Sequence, residues 1–222
     1  MPLGDNDGDG IDDAVNASYA DPDGDINDPQ VNLFNQSGDT SEVGFREANA
    51  PPIIDLNSTA AETDIDRNYS GSFVEGGGSV SIVGVTADVE DADNPDLASM
   101  TITVGGVVDG SDETLFIAGT SVDLSQPLAA PLVTTVAGTT FNIAWDGTTF
   151  TITDNGGAGV PQADFDALIA TLEYENTKRL PDESDRTFVF SVNDGVIESA
   201  VARSTINVQA CLLYTSPSPR DS

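Results

Sequence analysis

Histidine is absent from this 222-residue chain, and lysine and cysteine each occur once, at Lys178 and Cys211. Without imidazole, the usual general base at neutral pH and the usual nitrogen ligand of zinc are both missing. Histidine-dependent catalysis is therefore excluded, and neither a Ser/His triad nor a Cys/His pair can be assembled. Basic residues number 7 against 38 acidic ones, a formal charge of -31. Such a surface repels phosphate backbones and anionic headgroups, so nucleic acid and membrane surfaces are not expected partners, and cations are. No apolar run approaches the roughly 18 residues of a membrane helix, so no membrane insertion is expected. Gly76, Gly77 and Gly78 lack the following lysine and helix that a phosphate-binding loop requires. No signal peptide follows Met1, an absence that excludes nothing if Met1 is an internal position.

The one cysteine opens a tail, CLLYTSPSPRDS, in which Cys211 to Asp221 resembles the translation of a transposase-type sequencing adapter. Residues 211–222 are accordingly read as non-native, the alternative being a genuine Pro/Ser-rich tail. The rest of the chain then needs no disulfide. That suits a bacterial surface or secreted protein without requiring one, because cytosolic proteins also lack cysteine.

What the chain has in abundance is aspartate at its start. In DNDGDGIDDAVN, Asp5 to Asn16, carboxylates alternate and a glycine follows at the sixth place. Asp5, Asp7 and Asp9 then take places one, three and five of a loop that Gly10 turns sharply, and the carbonyl of Ile11 takes place seven. Asp13 falls at nine and Asn16 at twelve. Oxygen ligands at these offsets suit Ca2+, which accepts six to eight of them. A helical EF-hand would place a bidentate glutamate at twelve between amphipathic helices, and neither is present. Sixteen residues on, DPDGDIND repeats the theme with Asp21, Asp23, Asp25 and Asp28, although Ile26 stands where glycine is expected. The bland alternative is an acidic, solvated linker. Residues 1–45 carry no lysine or arginine and few apolar residues, so without ligand this segment is expected to be disordered.

Composition changes near residue 50. The segment 31–52 reads as a linker, and Pro51-Pro52 followed by Ile53 and Ile54 leads into a first strand. From 53 to 208 short runs rich in Val, Ile, Thr and Phe alternate with Gly, Asp and Asn: SVSIVGV, MTITVGGV, FNIAW, FTIT, RTFVFSVN and STINV. Phe188, Phe190 and Val192 should share one strand face. Asp146-Gly147 and Asp194-Gly195 mark tight hairpins. Phe165, Leu168, Ile169 and Leu172 follow helical spacing, with Asp164 as the expected cap and a strand at 172–176. Strands this short and numerous predict an all-β sandwich with one short helix and Trp145 in its core.

Two family resemblances add to this reading. The opening motif resembles a thrombospondin type 3 repeat, D-x-D-G-D-G-I-x-D, over residues 1–30, without the cysteines of the animal repeats. NAPPIIDLN, SFVEGGGSVSIVGVTADVEDADNPDLASMTITV, LIATLEYENT and RTFVFSVNDGVIESAVARSTINV are similar, in that order, to the cadherin-like tandem repeats of large bacterial adhesins. That resemblance implies an Ig-like or cadherin-like sandwich over 53–208. It also implies calcium near the domain junction, with Glu75, Asp91, Asp93 and Asp194 as candidate ligands. Each of the four can equally be an exposed loop carboxylate or a turn former.

The leading expectation is a calcium-stiffened structural or adhesive segment of a large secreted or surface-anchored bacterial protein, located outside the cell. Its partners would be calcium, neighbouring repeats of the same polypeptide, and a cell-surface protein or glycan receptor. The alternative is an accessory, glycan-binding module of a secreted multidomain enzyme, using Trp145, Tyr69 or Tyr174 as sugar platforms. Catalysis within the chain is not expected: Asp91 and Asp93 could form a glycosidase pair only across a cleft, and nothing in the sequence places them in one.

Overall fold

A computed structural model describes residues 49–57 and 67–211. In chain order the elements are β1 (Ile53–Asp55), β2 (Tyr69–Val74), β3 (Val80–Ser81), β4 (Asp88–Glu90), β5 (Asp96–Leu97), β6 (Ser99–Gly105), β7 (Glu113–Ile117) and β8 (Thr120–Asp123). There follow β9 (Leu132–Val136), β10 (Thr139–Trp145), β11 (Thr149–Asp154), β12 (Val160–Pro161), α1 (Gln162–Ile169), β13 (Glu173–Asn176), β14 (Arg186–Asn193) and β15 (Ala202–Gln209). The Asp-rich loops at 5–16 and 21–28, with their expected ligands, lie outside the described residues, as do the linker up to residue 48 and the tail from 212.

Seven strands form the main sheet in the order β2-β15-β14-β6-β11-β10-β9, and four form a second in the order β3-β13-β7-β8. Only β15 and β2 run parallel among the described pairs. Alternation of apolar and polar residues dictates which face is inward. Phe188, Phe190 and Val192 of β14 are buried, as are Met100, Ile102 and Val104 of β6 and Phe150 and Ile152 of β11. Val189, Thr103 and Thr151, one step out of phase, face the other way. The two sheets meet through aromatic rings. Tyr174 of β13 packs edge-on against Phe73 of β2 at 5.5 Å and Phe188 of β14 at 6.0 Å. Each such side chain contributes about 1.5–3 kcal/mol by leaving water. Trp145 and Phe150, opposed across β10 and β11, stack at 4.2 Å, and Trp145 is a core residue.

One polar cluster crosses between the sheets. Arg186, fully buried at the start of β14, donates from Nε to Glu113 Oε2 of β7 at 2.6 Å and from Nη2 to Asp109 Oδ2 at 3.1 Å. Tyr174 Oη donates to Glu113 Oε2 at 2.9 Å, and Lys178 Nζ reaches Asp109 Oδ1 at 2.5 Å. Two carboxylates thus face two cations. Burial, with the Glu113 charge beside it, pushes the Tyr174 phenol well above its ordinary range, so it stays a donor.

Several local expectations need correction. Of SVSIVGV only Val80 and Ser81 are strand, because Ser81 Oγ donates to Val83 O at 2.8 Å and Gly84 N donates to Leu56 O at 2.7 Å, turning the chain. Ile82 and Val83 are nevertheless buried. Helix α1 begins two residues before the expected cap: Asp164 sits inside the first turn, and its Oδ2 accepts from Thr139 Oγ1 at 2.7 Å. Phe165 then meets Phe141 at 5.8 Å. In both hairpin turns the glycine lies one place earlier than expected, first rather than second of the central pair. Asp146 and Asp194 stand before the central pair and bind the turn's amides with their side chains, while Gly147 and Gly195 take the positive φ values of 99° and 102°. After Asp194 only an isolated bridge, Asn193 to Glu198, forms, and the strand proper starts at Ala202. The described part is thus all-β, two facing sheets around one core with two two-stranded ribbons, β1-β4 and β5-β12, and one short α-helix.

Candidate metal-binding site

The chain enters the sandwich at Asn49 beside two acidic loops. One is DADN, Asp91 to Asn94, between β4 and β5; the other is the turn at Asp194 after β14. The Ala50 amide donates to Asp93 Oδ2 at 2.9 Å, and Asn49 Nδ2 donates to Asp194 Oδ2 at 2.5 Å. Asn94 Nδ2 joins the two loops, donating to Asn49 Oδ1 at 2.8 Å and approaching Asp194 Oδ2 at 3.5 Å. Helix α1 fixes the first loop from behind. Gln162 Nε2 donates to the carbonyls of Asp91 at 2.8 Å and Asn94 at 2.6 Å.

Within DADN the chain folds over its own carboxylate. Asp91 Oδ1 accepts from the Asp93 and Asn94 amides at 3.1 and 3.2 Å. Its other oxygen, Oδ2, is buried and accepts no hydrogen bond. With both carboxylates ionised, the neighbouring Asp93 offers it no donor. A buried oxygen without a donor is costly unless a water donates to it or a cation coordinates it.

The Ala50 N–H and neighbouring hydrogen bonds hold the Asp93 carboxyl below its ordinary range, against the raising effect of Asp194. At Asp194 partial burial pushes the pKa up, but the Ile197 and Val196 amides and Asn49 outweigh it and the net direction is down. Both are anionic at neutral pH. Beside them runs an acidic groove of about 600 Å³ lined by Asp88, Glu90, Asp91, Asp93, Gln162 and Asp166. Asp88, paired across the ladder with Asp55, is pushed up to about 6 by burial and by the charges of Glu90, Asp55 and Asp166.

Of the four expected ligands in the sandwich, Asp91, Asp93 and Asp194 therefore fall in one place. Glu75 does not. It follows β2, where its N–H donates to Gln209 O at 2.9 Å and its carboxylate accepts from the Cys211 amide at 3.0 Å. That is the Arg186 end of β14, about 23 Å of strand from Asn193. Asn49 and Asn94 were missed by the sequence reading. Neither belongs to a spacing motif, and only the fold brings them within reach of Asp194. The oxygens present are hard donors, suited to Ca2+ rather than to a transition metal. Among the described residues no three acidic side chains converge tightly enough to form a ready-made metal centre. The arrangement is a set of oxygens held near one another by amide donors. Two of the three aromatic candidates for sugar stacking, Trp145 and Tyr174, are buried, and Tyr69 is half-buried.

No family model matches the chain, and no curated protein matches it.

Proposed function

We propose that this chain is a calcium-binding structural or adhesive segment of a larger secreted or surface-anchored bacterial protein, its sandwich of the Ig-like or cadherin-like type. The observation that carries the reading is the buried, unpartnered Oδ2 of Asp91, in the loop whose Asp93 meets the entering chain at Ala50 and whose Asn94 approaches Asp194. Calcium bound there would be held by Asp91, Asp93 and Asp194, with the side-chain oxygens of Asn49 and Asn94 close by. The ion would add charge-compensating oxygen ligation to the amide contacts and so fix the entering chain against both loops. The Asp-rich loops at 5–16 and 21–28 would bind further calcium on the resemblance described above.

The path of the chain supports a serial element. It enters beside Asp93 and Asp194 and leaves β15 beside Glu75 and Glu183, at the opposite ends of β14. A unit with entry and exit at opposite poles transmits tension along its strands and spaces what lies on either side. Sugar binding has less support, since Trp145 and Tyr174 are occupied in the core.

Calorimetric titration of the full chain with calcium tests this, with Asp7→Ala and Asp9→Ala for the first loop and Asp91→Asn and Asp93→Asn for the sandwich. Saturable binding that loses one class of sites in each variant pair is the expected result. Absence of heat and of any change in protease sensitivity between calcium and chelator would overturn the proposal.

A further inference from the structure

Strand β9 closes one side of the seven-stranded sheet, and among the described residues its outer edge bonds to no other strand. Its backbone phase follows from two hydrogen bonds. Asn155 N donates to Thr140 O at 2.8 Å, and Leu128 N donates to Trp145 O at 2.9 Å. Even-numbered residues of β10 therefore turn their backbone groups toward β11, and odd-numbered ones toward β9. In the observed register, Phe141 opposite Thr134 and Ile143 opposite Leu132, the amides and carbonyls of Val133 and Thr135 point away from the sheet.

Natural edges are usually blunted by charge. Most edges here obey that: β8 ends in Asp123, β1 and β4 carry Asp55, Asp88 and Glu90, and β2 is followed by Glu75. Strand β9 does not. It lies within residues 124–145, a stretch of 22 without Asp, Glu, Lys or Arg in a chain of net charge -31. The outward face next to it, with Asn142, Thr140, Thr151 and Thr153, is neutral as well.

We infer that β9 is a self-association edge, on which a second copy of this chain pairs β9 to β9 in antiparallel register about a two-fold axis at Thr134. That axis sets Val133 opposite Thr135 of the second copy, twice, and each of these pairs exchanges two main-chain hydrogen bonds. Val133 and Thr135, both exposed, form β-branched cross-strand pairs on the outer face. Thr134 meets its counterpart in the closely spaced, non-bonded position. Pro131 ends the usable edge, having no N–H to offer. A like copy fits because this edge is complementary to itself, and because its neutral stretch is where two strongly acidic copies can approach with least repulsion. The pairing is independent of calcium and strengthens with salt, which screens the repulsion between the remaining surfaces.

Sedimentation of the full chain in chelator and reductant, the latter because Cys211 is exposed, tests the inference over a concentration series at low salt and at about 0.5 M NaCl, where the screening length is about 4 Å. The expected result is a mass rising from 23.0 kDa toward twice that value, more readily at high salt. Val133→Glu adds a charge on the edge and Thr135→Pro removes an outward N–H that no β10 carbonyl uses; both should abolish the rise while leaving the circular dichroism spectrum unchanged. Thr134→Cys in a Cys211→Ser background should form a disulfide-linked dimer on oxidation, since non-bonded antiparallel pairs sit at disulfide distance. A monomer at every concentration and salt, or a dimer that persists in both Val133→Glu and Thr135→Pro, overturns the inference. Failure here leaves the calcium proposal untouched, because no calcium is present.

Discussion

Replacing Arg186 by methionine removes the only fully buried cation of the described protein and leaves the volume of its stem. Glu113 loses the Nε and Nη2 bonds at 2.6 and 3.2 Å, and Asp109 loses the Nη2 bond at 3.1 Å. Breaking a buried pair from one side costs about 3–5 kcal/mol, because a charge is stranded. Here the stranded groups keep other donors. Glu113 retains the Tyr174 hydroxyl and the amides of Val108 and Asp109, and Asp109 retains Lys178, Asn176 and the Asp182 amide. The lower end, about 3 kcal/mol, is therefore expected. For a domain of this size that lowers the melting temperature by about 6–12 °C. Urea denaturation followed by the fluorescence of Trp145, stacked on Phe150 in the core, measures it. The double variant Glu113→Gln/Arg186→Met removes the stranded charge and should recover part of the loss. A single variant costing under about 1 kcal/mol, or a double variant costing as much as both singles added, would refute the charge-stranding argument.

Four further outcomes are expected. Asp88 has a folded pKa of about 6 against an ordinary 3.8, so the fold binds the proton more tightly and loses stability as pH rises from about 4 to about 6. Full burial would make that displacement worth about 3 kcal/mol; solvent contact reduces it to about 1 kcal/mol. Asp88→Asn should therefore stabilise above pH 6 and do nothing below pH 4 in paired urea titrations. Asp109 carries the opposite sign: burial raises it, but Lys178, Asn176 and the Asp182 amide outweigh burial and hold it below its ordinary range. Its contribution is complete above about pH 4 and is lost on acidification, so Asp109→Asn should flatten the acid limb of the melting curve. Phe165→Ala should cost about 3–5 kcal/mol by opening a cavity under α1, read as a lowered melting temperature. Asp194→Asn should keep the turn, since the amide oxygen can still accept from Val196 and Ile197, and should weaken calcium binding in titration; unchanged affinity would remove Asp194 from the site.

Alternation made the long strands legible. In RTFVFSVN three large apolar residues at every second place admit one buried face, and β14 spans those eight residues. Strands whose alternation is diluted by small or polar residues were not legible. YSGSFV of β2 and LVTTV of β9 offer few large apolar residues, and the ladder to a neighbour decides their state. SVSIVGV failed for the converse reason. Its apolar density is strand-like, but Ile82 and Val83 are buried by a turn rather than a ladder, and a Ser81 hydroxyl competing for the backbone is invisible to periodicity. At the candidate site the aspartates of DADN and VNDG could be singled out by resemblance. Their relation to one another could not, because Asn49, Asn94 and Asp194 lie 45 to 145 residues apart in the chain.

The placement of the few cations makes the contrast between the two acidic clusters physical. Every ion pair among the described residues involves Asp109 or Glu113. There the chain supplies its own counter-charge from Arg186 and Lys178, and it does so inside the sandwich, where an unpaired carboxylate would cost most. At the entry pole it supplies only amides. Asp91, Asp93 and Asp194 are held near one another by Asn49, Asn94, Ala50 and Gln162, groups that orient oxygens without neutralising them. A sequence that needed these loops only as turns could have met the same geometry with asparagine or serine, at no electrostatic cost. Keeping three carboxylates there leaves their charge without a cation of the chain's own among the described residues, and that imbalance is what the calcium titration of Asp91→Asn, Asp93→Asn and Asp194→Asn probes.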